Sequence, residues 1–237
     1  MYEYRMNDPE NTVLKFETAK GAFYPTDTSS LLIEACRSKI KAPAKILDLG
    51  CGIGITGLVI CKSGLVRKPL FVSDISKNAV KLALKNARRL NVEVVARCGS
   101  LFEPWEGERF DVIVDDVSGI SDEVAKISPW FPPGVTCEAG RDGTRWIEKV
   151  IEEAPRHLKK GGRLFFPVLS LSNGAKILSL AKKRFSSVSL VIEKEWLLPK
   201  EMIKKIDRIM PLIKDGTIGC VNKFGTWIWS TKIFCAS

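Results

Sequence analysis

Nothing constrains the fold of this chain more than residues 44–54, where the apolar run Ala44-Lys45-Ile46-Leu47-Asp48-Leu49 breaks into glycines at 50, 52 and 54. A short apolar run bounded by turn residues reads as a buried strand, and three glycines spaced by two exceed what a tight turn alone requires. Helical tone resumes at once, over Ile55 to Cys61. Strand, glycine loop and helix together open a parallel sheet, whose ligands sit beyond the carboxyl ends of the strands. There the glycine backbone permits close approach, and the next helix offers free N–H groups.

The same unit repeats along the chain. Leu70 to Asp74 reads as a second strand and Ser76 as a helix cap. Ala79, Val80, Ala83, Leu84, Ala87 and Leu90 then form one apolar stripe opposite Lys77, Lys81, Lys85 and Arg88. Further strands are expected over 93–98, 110–115, 163–168 and 188–196, with helices over 143–158 and 172–185. Lys159-Lys160-Gly161-Gly162 reads as a helix C-terminus. Residues 200–213 have the pattern of a basic amphipathic helix with Ile203, Ile206, Met210 and Ile213 inside, and 217–234 that of two strands joined at Asn222-Lys223-Phe224-Gly225. The expected fold is α/β: a doubly wound, mostly parallel seven-stranded sheet with helices on both faces and an antiparallel strand at one edge. Its 237 residues suit a single domain, with a covering segment over 1–43, a ligand-binding core over 44–170 and the rest of the sheet over 171–237.

Composition narrows the class. Apolar residues make up 45% and charged residues 27%, which disfavours disorder, collagen and coiled coil. The net charge of +10 is uneven: residues 1–120 hold 17 basic and 15 acidic side chains, and 121–237 hold 20 and 12. An anionic partner therefore belongs with the second half, if anywhere. The seven cysteines are scattered and never spaced as C-x-x-C, which argues against a disulfide framework or zinc knuckle and fits a reducing cytoplasm. Met1 to Glu10 carries three acids and one base without an apolar core, so no secretory signal is expected, and no run approaches the roughly 18 apolar residues of a membrane span.

Gly52-x-Gly54-x-x-Gly57 formally satisfies the dinucleotide fingerprint. It falls two residues late, however, and Asp48 at the strand end would repel a pyrophosphate, whereas a carboxylate suits a ligand bearing a sulfonium and no phosphate. That points to S-adenosylmethionine. Asp74 ends the second strand, where its carboxylate can accept both hydroxyls of a ribose, Ile75 would pack on the adenine face, and Ser100 stands where a polar side chain reaches the adenine amino group.

The series Ile46-Leu47-Asp48-Leu49-Gly50-Cys51-Gly52-Ile53-Gly54, Asp74-Ile75-Ser76 and Gly99-Ser100-Leu101-Phe102 resembles the Rossmann-like class I methyltransferases. Two further segments, Gly21-Ala22-Phe23-Tyr24-Pro25-Thr26-Asp27-Thr28 and Gly140-Arg141-Asp142-Gly143, resemble the HemK-type glutamine N5-methyltransferases and their small-domain relatives. The resemblance covers roughly residues 18–170. It implies S-adenosylmethionine as methyl donor and S-adenosylhomocysteine as product, held by Asp48, Gly50, Cys51, Gly52, Gly54, Asp74, Ile75, Ser100, Leu101 and Thr28. It also implies that the 21–28 loop closes over the cofactor, with Tyr24 toward the substrate.

One departure matters. HemK-type enzymes carry Asn-Pro-Pro-Tyr after the fourth strand; here Asp116 stands at the Asn position, Val117 and Ser118 replace the prolines, and Gly119 replaces the aromatic ring. The stacking plate for a flat acceptor is missing. Only about 43 residues precede the first strand, so the helical N-terminal domain of those enzymes is not expected either. Asp116 is the candidate catalytic residue, orienting or deprotonating an acceptor nitrogen, or else it is a loop aspartate satisfied by backbone N–H groups. With Val117 and Trp130 it marks the substrate side, Trp130 being equally a core residue. His157, the only histidine, reads as a helix-end residue and not as a base. The expected activity is methyl transfer to a nitrogen or oxygen on a protein or other macromolecule. The alternatives are an RNA methyltransferase using Lys204, Lys205 and Arg208, and a non-catalytic cofactor-binding partner.

Overall fold

The computed structural model describes residues 1–19, 23–131 and 137–237. Strands β1 (Tyr2–Arg5) and β2 (Val13–Phe16) form a separate antiparallel hairpin, followed by α1 (Asp27–Lys39). The central sheet begins with β3 (Ile46–Leu49), and α2 (Ile55–Lys62), β4 (Leu70–Asp74), α3 (Lys77–Arg89), β5 (Val94–Cys98) and β6 (Phe110–Asp115) follow. Next come α4 (Asp122–Ile127), α5 (Arg145–His157), β7 (Leu158–Leu169), α6 (Gly174–Arg184) and β8 (Val188–Leu197). The chain ends with α7 (Lys200–Ile203), α8 (Met210–Lys214), β9 (Val221–Lys223) and β10 (Thr226–Ala236).

The sheet runs in the order β5-β4-β3-β6-β7-β10-β8, with β9 paired to β10 outside that path. Strands β5, β4, β3, β6 and β7 are parallel neighbours, and β10 is antiparallel to both β7 and β8. This is the doubly wound, mostly parallel sheet expected, with its antiparallel strand on the β8 side. Both faces are covered, as a parallel sheet requires. On one face Leu32 and Ile33 of α1 and Val59 and Ile60 of α2 pack on Ile46, Val114 and Phe165. On the other, Val150 and Ile151 of α5 and Ile177 of α6 pack on Leu49, Ile113 and Phe166. A third cluster joins Val124 of α4, Met202, Ile209, Leu212 and Trp229 beside the C-terminal strands.

Two sequence expectations give way here. The basic segment 200–213 is not one helix but α7, a 3-10 turn over Ile206–Arg208, and α8. Pro211 is the cause: it lacks an N–H and its ring clashes with the carbonyl four residues back, so it serves at the start of α8 instead. The inward face shifts with it, to Met202, Ile209 and Leu212, and leaves Ile203 exposed. Lys159 to Gly162 does follow a helix end, but the strand expected from 163 begins at Leu158 and takes these residues in. Helix α5 stops at His157, and these residues are looped out within β7, whose pairing with β6 jumps from Phe110↔Leu158 to Val112↔Arg163. Gly161, at φ +72°, makes the turn. The β1–β2 hairpin was not anticipated, since each strand has only four residues.

Candidate active site

Strand order reverses between β4 and β6 on either side of β3, and a sheet opens a crevice at such a switch point. A cavity of about 510 Å³ lies there, beyond the carboxyl ends of β3, β4 and β6. Its floor is the glycine loop. Gly50, Gly52 and Gly54 all hold positive φ (+78°, +52° and +86°), and the Gly50 and Cys51 N–H groups both donate to Ser73 O at 2.9 Å. A Cβ at Gly50 would meet Val117 Cγ1 at 2.8 Å, whereas one at Gly52 would meet no described residue within 4 Å. The Gly52 backbone therefore lies bare against open cavity. From below, buried Asn86 steadies the loop: its Nδ2 donates to Ile53 O (2.9 Å) and Glu17 O (3.1 Å), and its Oδ1 accepts from Glu17 N (2.7 Å).

Three carboxylates surround this floor in different states. Asp74, ending β4, accepts the Gly52 N–H at 2.9 Å and the Ser76 N–H at 2.8 Å; burial raises its pKa and those two bonds oppose the rise. Asp48 is fully buried, with Oδ2 accepting the Gly57 N–H at 2.8 Å and Oδ1 without a partner among the described residues. Burial, reinforced by the charges of Asp116 and Asp74, pushes it up to about 8, so it is mostly neutral at pH 7. Asp116, just past β6, accepts from the Ser29 hydroxyl (2.8 Å) and the Thr56 hydroxyl (3.0 Å), both at Oδ2. Burial lifts its pKa to about 6, against the pull of those two hydroxyls. Asp116 is thus a carboxylate poised near neutrality with one oxygen held in place, the condition a general base needs.

The far end of the cavity is aromatic. Phe23, Trp130, Phe131, Trp146 and Trp229 line it. Trp130 and Trp229 have ring centroids 5.2 Å apart, and Phe23 and Phe131 5.3 Å.

Of the residues singled out in the sequence, Thr28, Gly50, Gly52, Asp74, Ile75, Ser100, Leu101, Asp116, Val117 and Trp130 share the cavity lining. Asp48, Cys51, Gly54 and Tyr24 are outside it. Asp48 faces α2, where Gly57 leaves room for it: a Cβ at 57 would meet Asp48 Oδ2 at 2.8 Å. Gly57 is thereby explained by helix–strand packing and not by a dinucleotide. Leu101 holds a left-handed φ of +46° at the cavity wall, a conformation that costs a branched side chain energy and collects at functional sites. Residues 21 and 22 of the covering loop lie outside the described residues. His157 stacks on Phe102 at 4.5 Å, away from the cavity.

Sequence reading missed Ser29, Thr56, Asn86 and Trp229. Asn86 left a trace, as an amide on the apolar face of α3. The hydroxyls left none, because Ser29 and Thr56 stand 87 and 60 residues from Asp116.

A doubly wound sheet with a bare glycine floor, a strand-end aspartate bonded to that floor and a second carboxylate across it defines a class I methyltransferase. Comparison with known proteins agrees. The family model of the methyltransferase small domain matches residues 14–116. A Methanocaldococcus jannaschii chain named provisionally as a protein N5-glutamine methyltransferase is 30% identical over 151 residues, covering 63% of this chain and 73% of that one. The release factor glutamine methyltransferase of Geobacter sulfurreducens is 27% identical over 170 residues, 68% of this chain; the chain spans 58% of that relative's length. The chain belongs to the small-domain methyltransferase family, among its HemK-like members. Solved structures share the fold: a ribosomal protein methylase from Lactobacillus delbrueckii (TM-score 0.58, 18% identity, 97% of this chain and 89% of that one). So does a T. thermophilus 16S rRNA methyltransferase solved with AdoMet and guanosine (TM-score 0.62, 16% identity, 100% and 49%).

Proposed function

We propose that this protein transfers the methyl group of S-adenosylmethionine to a nitrogen or oxygen acceptor on a protein. One observation carries the cofactor assignment: the cavity floor joins bare Gly52 backbone to the Asp74 carboxylate by a 2.9 Å bond, and among the described residues no Lys, Arg or His lines the cavity. Such a lining suits a nucleoside carrying a positive sulfonium and opposes a pyrophosphate. When bound, S-adenosylmethionine supplies an electrophilic methyl carbon. Asp74 accepts the ribose hydroxyls, Gly50 and Gly52 let the backbone approach, and Ile75, Ser100, Leu101 and Thr28 frame the nucleoside. Asp48 acts from below, packing the loop onto α2 without reaching the ligand.

Asp116 orients the acceptor and takes its proton, held in position by Ser29 and Thr56. Holding the nucleophile in line and excluding water is most of what methyl transfer asks of a protein. The protein acceptor is supported by the relatives named above, and the reading carries no membrane step; no helix among the described residues is long and apolar enough to cross one. All seven cysteines are free thiols, in keeping with the cytoplasm. Calorimetry on the purified protein tests the cofactor assignment. S-adenosylhomocysteine binds, and Asp74→Ala weakens it by about 10- to 100-fold, the worth of one or two charge-assisted hydrogen bonds. Unchanged affinity in that variant would overturn the assignment. Incorporation of labelled methyl groups into a cell lysate then identifies the acceptor.

A further inference from the structure

At the acceptor end, this chain lacks the aromatic plate of HemK-type enzymes and builds a wall elsewhere. Among the described residues, a Cβ placed at Gly119 meets nothing nearer than Val117 O at 4.0 Å, so they leave the position of the missing ring open on the cavity lining. The wall beside it comes from other parts of the chain: Phe23 before α1, Trp130 and Phe131 after α4, and Trp229 on β10. Trp196 braces Trp229 from behind at 6.2 Å and is itself fixed by a 3.2 Å bond from its indole N–H to the Thr231 hydroxyl.

The ring spacing discriminates between ligands. A group sandwiched by two rings needs about 7 Å between them, twice the contact distance of roughly 3.5 Å. The two aromatic pairs stand at 5.2 and 5.3 Å, in contact with each other. Within each pair there is no room for a group between the rings, so each pair offers a surface to lie against. An anion is disfavoured, because the described residues of the lining offer it carboxylates and no basic side chain. A lone carboxamide covers only a small part of a wall built from rings that each bury about 150–250 Å².

We propose that the acceptor is a neutral aromatic ring carrying the N–H or O–H to be methylated, laid against Trp130 and Trp229 in the room left at Gly119 and directed at Asp116. This rests on the methyltransferase reading of the cavity. In the reaction the acceptor nitrogen or oxygen forms a bond to the methyl carbon, and the carbon–sulfur bond breaks with its electron pair returning to sulfur. The acceptor proton passes to the Asp116 carboxylate and from there to water. A free aromatic compound and an aromatic side chain of a protein both present this chemistry.

The test is calorimetric titration of the full chain saturated with S-adenosylhomocysteine. Four probes are compared: 2-naphthol, its anionic analogue 2-naphthoate, N-acetylglutamine methylamide and N-acetyltyrosine methylamide. We expect 2-naphthol to bind at least about tenfold more tightly than the anion, which meets the carboxylates of the lining, and than the glutamine amide, which lacks the ring. Tyrosine amide binding alongside 2-naphthol assigns a protein side chain; 2-naphthol binding alone assigns a free compound. Gly119→Phe, which refills the open space, weakens 2-naphthol about tenfold while S-adenosylhomocysteine affinity stays unchanged, and Trp229→Leu does the same if it folds. The proposal is overturned if the glutamine amide or naphthoate matches 2-naphthol, if 2-naphthol fails to bind the loaded protein, or if Gly119→Phe has no effect. Failure of S-adenosylhomocysteine itself to bind would instead sink the cofactor assignment beneath it.

Discussion

Asp116 shows how a single carboxylate is tuned by groups far away in sequence. Burial raises its pKa to about 6, and the Ser29 and Thr56 hydroxyls, by favouring the charged form, keep it from rising further. Removing a donor must therefore move the midpoint upward. In carbon-13 NMR titrations of labelled aspartate we expect Asp116 to titrate near 6. Ser29→Ala or Thr56→Val should each raise that midpoint by roughly half a unit to one unit. A downward shift, or none in either variant, would contradict the hydrogen-bonding arrangement. If Asp116 accepts the acceptor's proton, the methylation rate climbs as pH rises through about 6 and then levels. Asp116→Asn lowers kcat by about 10²- to 10⁴-fold and leaves S-adenosylhomocysteine affinity nearly unchanged. Position 116 was legible as a candidate because it follows a strand end. Its two hydroxyl partners were not, because only the packing of α1 and α2 on the sheet brings them within reach.

At the scale of elements, the contact between β3 and α2 explains both a glycine and an aspartate that the sequence presented as cofactor signals. Gly57→Ala drives a methyl group to 2.8 Å from Asp48 Oδ2 and 3.0 Å from Leu70 Cδ2, so urea unfolding should show a loss of about 1–3 kcal/mol. Asp48 itself makes stability depend on pH. Its folded pKa of about 8 lies above the unfolded value near 3.8, so the folded state holds an extra proton between those limits and its stability falls as pH rises through that window. Asp48→Asn keeps an acceptor for the Gly57 N–H and removes the titration. The variant should gain on the parent by about 3 kcal/mol between about pH 5 and pH 7.5. A constant difference across that range would mean that Asp48 is ionised in the folded protein. The strands and helices of the parallel half were readable because each buried strand is a short apolar run and α3 carries a clean stripe. The 200–213 segment misled because its apolar spacing continues through Pro211, and a periodicity takes no account of a missing N–H.

For the molecule as a whole, the order of strands in space matters more than their order in sequence. Strand β10 follows every other described strand in sequence, yet it lies inside the sheet, hydrogen-bonded to β7 on one side and β8 on the other. It also carries Trp229 into the cavity and Ile233 and Phe234 into the two main cores. The residues expected to hold the cofactor all lie between 28 and 101, outside the C-terminal third. We propose that the chain is nevertheless one cooperative unit. Ending it after Cys220 removes β9 and β10, parts β8 from the sheet and exposes the β7 edge, where unpaired backbone groups invite aggregation. Loss of S-adenosylhomocysteine binding and of the cooperative thermal transition is the expected result, measured by calorimetry and circular dichroism on the truncated protein. Retained affinity in a folded truncation would show instead that residues up to the end of β7 form an autonomous cofactor-binding unit. The excess positive charge follows the same division. It is concentrated in residues 121–237, while no described residue lining the cavity is basic, so the positive field belongs to the surface outside that lining.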